Sequence, residues 1–231
     1  MAAPREGHFS WLVNIFGYLQ RVTGKFKCIV VSLEDIEEIS GKGANVKYWL
    51  EKYPGESEEI YEGLPDPRGS PLSTSVYFDS NHANDQVTCQ SVSGVLSFVG
   101  STPIIWNSKM QGTIQSSIYP AELCAGKVAT EEAITLLYML SSLGVPVKGA
   151  TTICGYNLGM ITSCTNPESD PKKKYVAISY HKLQESAAAG IVNPLKVCTT
   201  VNRYEILTKG MSVVTPGIFS DASYQVEWGE K

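Results

Sequence analysis

Two carboxylates are the residues in this chain best placed to do chemistry. Asp79 closes the β-rich run VYFD (76–79), and Glu122 lies in the first half of a helix-like run that follows Ser116 and Ser117. Their spacing alone assigns no reaction. Other chemistries are poorly served. The six cysteines (28, 89, 124, 154, 164, 198) form no CxxC pair and have no histidine at metal-ligand spacing, so they read as buried free thiols of a reducing compartment. GKG at 41–43 and the glycines at 155 and 159 lack the spacing of a phosphate-binding loop. Four tryptophans (11, 49, 106, 228) are too scattered to make a stacking platform for single strands. His82, close after Asp79, reads as part of an exposed loop rather than as a metal neighbour.

The elements that must position these acids follow from periodicity and turn residues. Gly7 to Thr23 carries Phe9, Leu12, Val13, Phe16 and Leu19 at helical spacing and is stopped by Gly24. FKCIVVSL (26–33) is β-rich, and LPDPRGSP (64–71) marks a surface connection. Strands follow at 76–79, 93–99 and 102–106, with a hairpin break at Gly100 and Ser101. Ser116 or Ser117 caps a helix over 118–143 whose apolar side is Leu123, Val128, Ile134, Leu137, Tyr138 and Leu140, with Pro120 in its first turn. A buried strand at 150–154, helices at 157–164 and 174–189, an interrupted strand at 192–201 and a last helix at 202–209 complete the series. This order predicts an α/β fold, a mixed sheet with helices on its faces.

Composition bounds the rest. In 231 residues, 43% apolar and 18% charged is ordinary globular usage, and it excludes a disordered tail, a collagen and a coiled coil. The best apolar run, Trp11 to Leu19, is too short to span a bilayer and is interrupted by Asn14 and Gly17. The N-terminus shows neither a secretory signal nor a transit peptide, which leads to the expectation of an intracellular protein. The net charge of −4 is unevenly placed: ten acids against three lysines between Glu34 and Asp66 give −7, and the remainder carries +3. An acidic segment is thus set into a mildly basic body, whose charge does not argue against nucleic acid.

Seven segments, in order, resemble the RNase H domain at the C-terminal end of copia-type retrotransposon polyproteins, in a variety similar to the copia-like elements of algae and protists. EGHFSWLVNIFGYLQRVTGK (6–25) is similar to the helix that links reverse transcriptase to this domain. YFDSNHAND (77–85) resembles the first catalytic strand, SVSGVLSFVGSTPIIWNSKMQ (91–111) the following meander, and SSIYPAELCAGKVATEEAITLLYMLSSLGVPV (116–147) the long helix. ICGYNLGMITSC (153–164), KKYVAISYHKLQESAAAGIV (173–192) and NRYEILTKG (202–210) match the remaining motifs. The resemblance implies a five-stranded mixed sheet with helices on both faces, spanning 73–215. Before it lie a linking helix, a strand and the acidic insertion (1–72); after it comes a tail (216–231). Met1 stands just before the linking helix with no reverse transcriptase segment, so a free-standing protein is expected.

The resemblance also implies a chemistry, hydrolysis of RNA paired to DNA by two magnesium ions about 4 Å apart, held by four carboxylates because hard cations prefer oxygen ligands. Carried over residue by residue, the first is Asp79, the second Glu122 and the fourth Glu205, one methylene longer than the family's aspartate. The third position is Tyr156, whose phenol is neutral at pH 7 and a poor magnesium ligand. Asn157 would point to the opposite strand face, whereas Asn81 offers a neutral oxygen on the side of Asp79, and Asp85 is a nearby acid. Lys172, Lys173 and Lys174 match a basic run that meets phosphates, and His181 is expected to be packed on the inner side of its helix. The expectation is therefore a catalytically degenerate domain serving as a structural or interaction subunit, with residues 34–66 as its partner surface and no cofactor. The alternatives are an active, magnesium-dependent hybrid ribonuclease, or a domain that binds RNA or an RNA–DNA hybrid without cutting it.

Overall fold

The computed structural model describes residues 49, 51, 54–55, 57, 61–83, 85, 87–166, 168–169, 176–197 and 208, all within one compact unit, Ser32–Lys209. The expected linking helix, the 26–33 strand, the basic run 172–174 and, apart from Thr208, the helix at 202–209 lie outside these residues.

Three strands run first: β1 (Thr74–Asn81), β2 (Val92–Val99) and β3 (Thr102–Met110). They form the expected antiparallel meander, with Asp79 opposite Gly94 and Gly94 opposite Ser108. Gly100, at φ +58°, supplies the left-handed residue that so short a hairpin needs. The long helix α1 (Ile118–Ser142) crosses to β4 (Thr151–Gly155), which lies parallel to β1. A hydrogen bond of 2.7 Å joins the hydroxyls of Thr74 and Thr151 across this pair. Then come α2 (Leu158–Thr165), α3 (Ala177–Ala188) and β5 (Val192–Lys196), parallel to β4. The five strands stand in the order β3-β2-β1-β4-β5, a mixed sheet with β1 at its centre. Prolines fall only in the two edge strands, Pro103 in β3 and Pro194 in β5, where a missing N–H is tolerated.

One face of the sheet, with Val76, Phe78, Val95 and Ile153, is covered by α1, α2 and α3. Of the expected apolar side of α1, Leu123 and Leu140 are buried and Val128, Ile134 and Leu137 pack partly buried against the core, whereas Tyr138 is 40% exposed; Ala121, Ala125, Gly126, Ala129, Ala133 and Leu136 are buried besides. The helix lies so close to the sheet that small residues must face it. Phe78 occupies the space that Gly155 leaves open, where a Cβ would stand 2.5 Å from its ring, and the end of Met160 fills the space beside Gly126, where a Cβ would stand 2.4 Å from it. Trp49, from the acidic segment, is also buried in this core, so the core draws on a residue upstream of the turn-rich 64–71 connection.

The opposite face carries Tyr77, Leu96, Phe98, Cys154 and Val197, with Tyr156 packed against them and Tyr77 edge-on to Phe98 at 5.5 Å. Cys154 and Cys164 are buried free thiols, as expected, each pushed up to about 12 by burial, but Cys89 is exposed. Other local expectations are corrected. Ser117 stands at the N-cap of α1 in extended conformation, yet its hydroxyl makes no capping bond. The helix expected from 174 begins at Ala177, and the strand expected to 201 ends at Lys196. His181 is exposed and stacks edge-on against Tyr180, which is the buried residue of the pair because it is the one that faces the core. No helix of the described residues is long and apolar enough to cross a membrane.

Candidate functional site

β1 and α1 bring Asp79 and Glu122 together. Alternation along β1 places Asp79 and Asn81 on the side of Tyr77, and the first turns of α1 meet the end of the same strand, so Glu122 comes beside Ser80 and Asp79. Gln111 fixes this junction. Its Nε2 donates to Ser93 Oγ and to the Ala121 carbonyl, both at 2.9 Å, and so fastens the start of α1 to β2 one residue before Glu122.

Both acids are withdrawn from water, but their surroundings differ. Neither oxygen of Glu122 has a hydrogen-bond partner of good geometry. Burial is the main cause that pushes its carboxyl from 4.5 to about 8; the Tyr156 hydroxyl pulls the other way, the Asp79 charge adds to the rise, and Ser80 opposes it. Asp79 accepts a short hydrogen bond from the Thr208 hydroxyl. Tyr156 follows β4 directly, and its phenol lies close enough to both acids to feel their charge. Burial, then Glu122, then Asp79 raise its phenol above the usual range, so it stays protonated.

The other candidates are placed less centrally. Asn81 Nδ2 donates to the Thr208 carbonyl at 2.7 Å, which commits this side chain to Thr208. Asp85 is occupied in a local turn, accepting from the Val87 N–H at 2.9 Å and the Thr88 hydroxyl at 2.8 Å. His82, half-buried rather than in an exposed loop, has Nε2 3.1 Å from the Gln115 carbonyl. Asn157 is not a strand residue at all: β4 ends at Gly155, and the Asn157 side chain caps α2 by accepting the Met160 N–H at 3.0 Å. Glu205, Lys172, Lys173 and Lys174 lie outside the described residues. Thr208 was not singled out from the sequence, although a signal existed: three residues beyond Glu205 in a run read as helix, it shares that residue's face.

A magnesium pair needs several anionic oxygens in fixed geometry. The two unpartnered oxygens of Glu122 would suit a cation. Among the described residues, however, only Asp79 and Glu122 converge, no group of three histidines, cysteines or acids forms, and the next position offers a protonated phenol. The described residues do not fit a magnesium pair.

The mixed five-stranded sheet ordered β3-β2-β1-β4-β5, with helices packed on it, is the RNase H-like fold expected from the sequence. Homologues of the chain are copia-type retrotransposon Pol polyproteins. It is 28% identical over 163 residues to the retrovirus-related Pol polyprotein from transposon RE2 of Arabidopsis thaliana, covering 68% of this chain and 11% of that one. To the corresponding polyprotein from transposon TNT 1-94 of Nicotiana tabacum it is 28% identical over 133 residues, covering 58% and 10%. The chain thus spans about a tenth of the length of these relatives. No protein-family profile matches it. Among solved structures, it is similar to the N-terminal RNase H domain of rv2228c from Mycobacterium tuberculosis (13% identity, 59% of this chain and 91% of that one, TM-score 0.45). It is also similar to RNase H1 from the archaeon Halobacterium salinarum NRC-1 (14% identity, 58% and 93%, TM-score 0.45).

Proposed function

We propose that this chain is a catalytically degenerate RNase H-like domain, derived from a copia-type element, that acts as a structural or interaction subunit of a larger assembly. The observation that carries this reading is Tyr156: at the position where the resemblance calls for a third carboxylate, a protonated phenol faces both Asp79 and Glu122. The surroundings favour protein contact over phosphate contact. Residues 106–118 include a single charged side chain, Lys109, whereas Trp106, Ile114 and Ile118 are 64%, 63% and 53% exposed. A surface for a nucleic-acid backbone is normally basic, and exposed large apolar side chains more often meet another protein. The partner surface is assigned to the acidic segment 34–66, where Glu51, Glu62 and Asp66 are exposed.

The rival reading, an active hybrid ribonuclease, has the unpartnered Glu122 oxygens in its favour. Incubation with an RNA–DNA duplex and magnesium or manganese separates the two. Degeneracy predicts no cleavage above that of the Asp79→Asn variant; metal-dependent cleavage that vanishes in Asp79→Asn would overturn it. Salt-sensitive hybrid binding without cleavage, weakened by replacing Lys172, Lys173 and Lys174, would favour a non-cutting nucleic-acid binder instead.

A further inference from the structure

We infer that the Asp79 site is a hydrogen-bonded clasp for Thr208, in which a hydroxyl of the chain itself stands where a cation would be held; the inference rests on the degenerate reading proposed above. Two residues on one face of β1 grip a single residue far along the chain. Asp79 accepts from the Thr208 hydroxyl, 129 positions downstream, and Asn81 Nδ2 donates to the carbonyl of the same threonine at 2.7 Å. Tyr156, directly after β4, adds a protonated phenol close enough to Asp79 to feel its charge. A carboxylate as buried as Asp79 must be compensated, by donors or by positive charge. Here the Thr208 hydroxyl already donates to it, and a divalent ion would have to displace that donor.

The two states of such a site respond to neutralisation with opposite signs. In a cation site without its cation, crowded carboxylates repel one another, and replacing one by its amide relieves strain and raises stability. In a clasp, the same replacement takes a charged acceptor away from the buried Thr208 hydroxyl and lowers stability. The test is thermal unfolding of the full chain in EDTA and in millimolar magnesium or manganese, for wild type, Asp79→Asn, Thr208→Val and the double variant.

The clasp predicts that Asp79→Asn and Thr208→Val each lower Tm by roughly 3–8 °C in EDTA. It also predicts that the double variant loses clearly less than the sum, because the two share one interaction, and that metal leaves the wild-type Tm unchanged. An unchanged or raised Tm in Asp79→Asn, strict additivity, or a metal-induced rise in wild type would overturn it. Should Asp79→Asn fail to fold, Thr208→Val decides alone: a lowered Tm supports the clasp and an unchanged one refutes it. The outcomes separate this inference from the reading beneath it. A chain that is inert toward hybrid but stabilised by Asp79→Asn loses the clasp and keeps the degenerate assignment; a chain that cleaves loses the assignment itself.

Discussion

Phe78 and Asp79 are consecutive residues of β1 and almost equally hidden from water, at 1% and 2% exposure, yet opposite kinds of force hold them. Phe78 is held by shape: Gly155 leaves room for its ring, and small residues of α1 bring the helix down onto the sheet. Asp79 is held by hydrogen bonding, with the Thr208 hydroxyl donating to it. The apolar side punishes added atoms, because a packed interior has little space to yield. The polar side punishes lost partners, because a buried charge without donors is costly. One strand therefore carries two tolerances that alternate with its pleat.

Single-atom additions give the sharpest contrast. Gly155→Ala places a methyl 2.5 Å from the Phe78 ring, which is fixed by its own neighbours, and is expected to cost about 1–3 kcal/mol in urea unfolding. A stability equal to wild type would mean that the ring is not confined as described. Next comes the ionisation of Glu122. Its folded pKa, about 8, lies above the unfolded value of 4.5, so the folded state holds this proton more tightly. Its contribution to stability is fully present below about 4.5 and is lost as pH rises through about 8. Glu122→Gln keeps the shape and cannot ionise, so the fall in stability between these limits should flatten in that variant; an identical slope would assign the titration to other groups. The smallest effect is expected for Gly126→Ala. There the new methyl meets mainly the flexible end of Met160, and the gain of roughly 1 kcal/mol in helix propensity offsets that crowding. A loss as large as that of Gly155→Ala would erase the distinction between rigid and yielding neighbours.

The sheet was legible because its signals are local: β-rich runs, a two-residue hairpin break and turn residues between them. The same reading found most of the apolar side of α1 but missed its closest contact with the sheet, since a hydrophobic pattern points to large apolar residues and this helix also buries alanines and a glycine. Asn157 opens the helix expected at 157–164, so its side chain caps α2 instead of alternating along a strand that already ends at Gly155. At the site, Asp79, Glu122 and Tyr156 were found through the resemblance, and the structure brings these three together. Thr208 escaped because a lone threonine advertises no chemistry, and its role depends on a contact between residues 129 positions apart.

The sheet's order also sets the entropy of its closure. β1 meets β2 across a short connection, but the Thr74–Thr151 contact that joins it to β4 closes 77 positions. For a flexible chain, a loop roughly seven times longer than the 11 positions between Asn81 and Val92 costs about 1.7 kcal/mol more to close. The 25 residues of α1 lie inside it. Once helical they advance only about 1.5 Å each, so the helix that carries Glu122 is also the spacer that makes the parallel half of the sheet affordable to assemble.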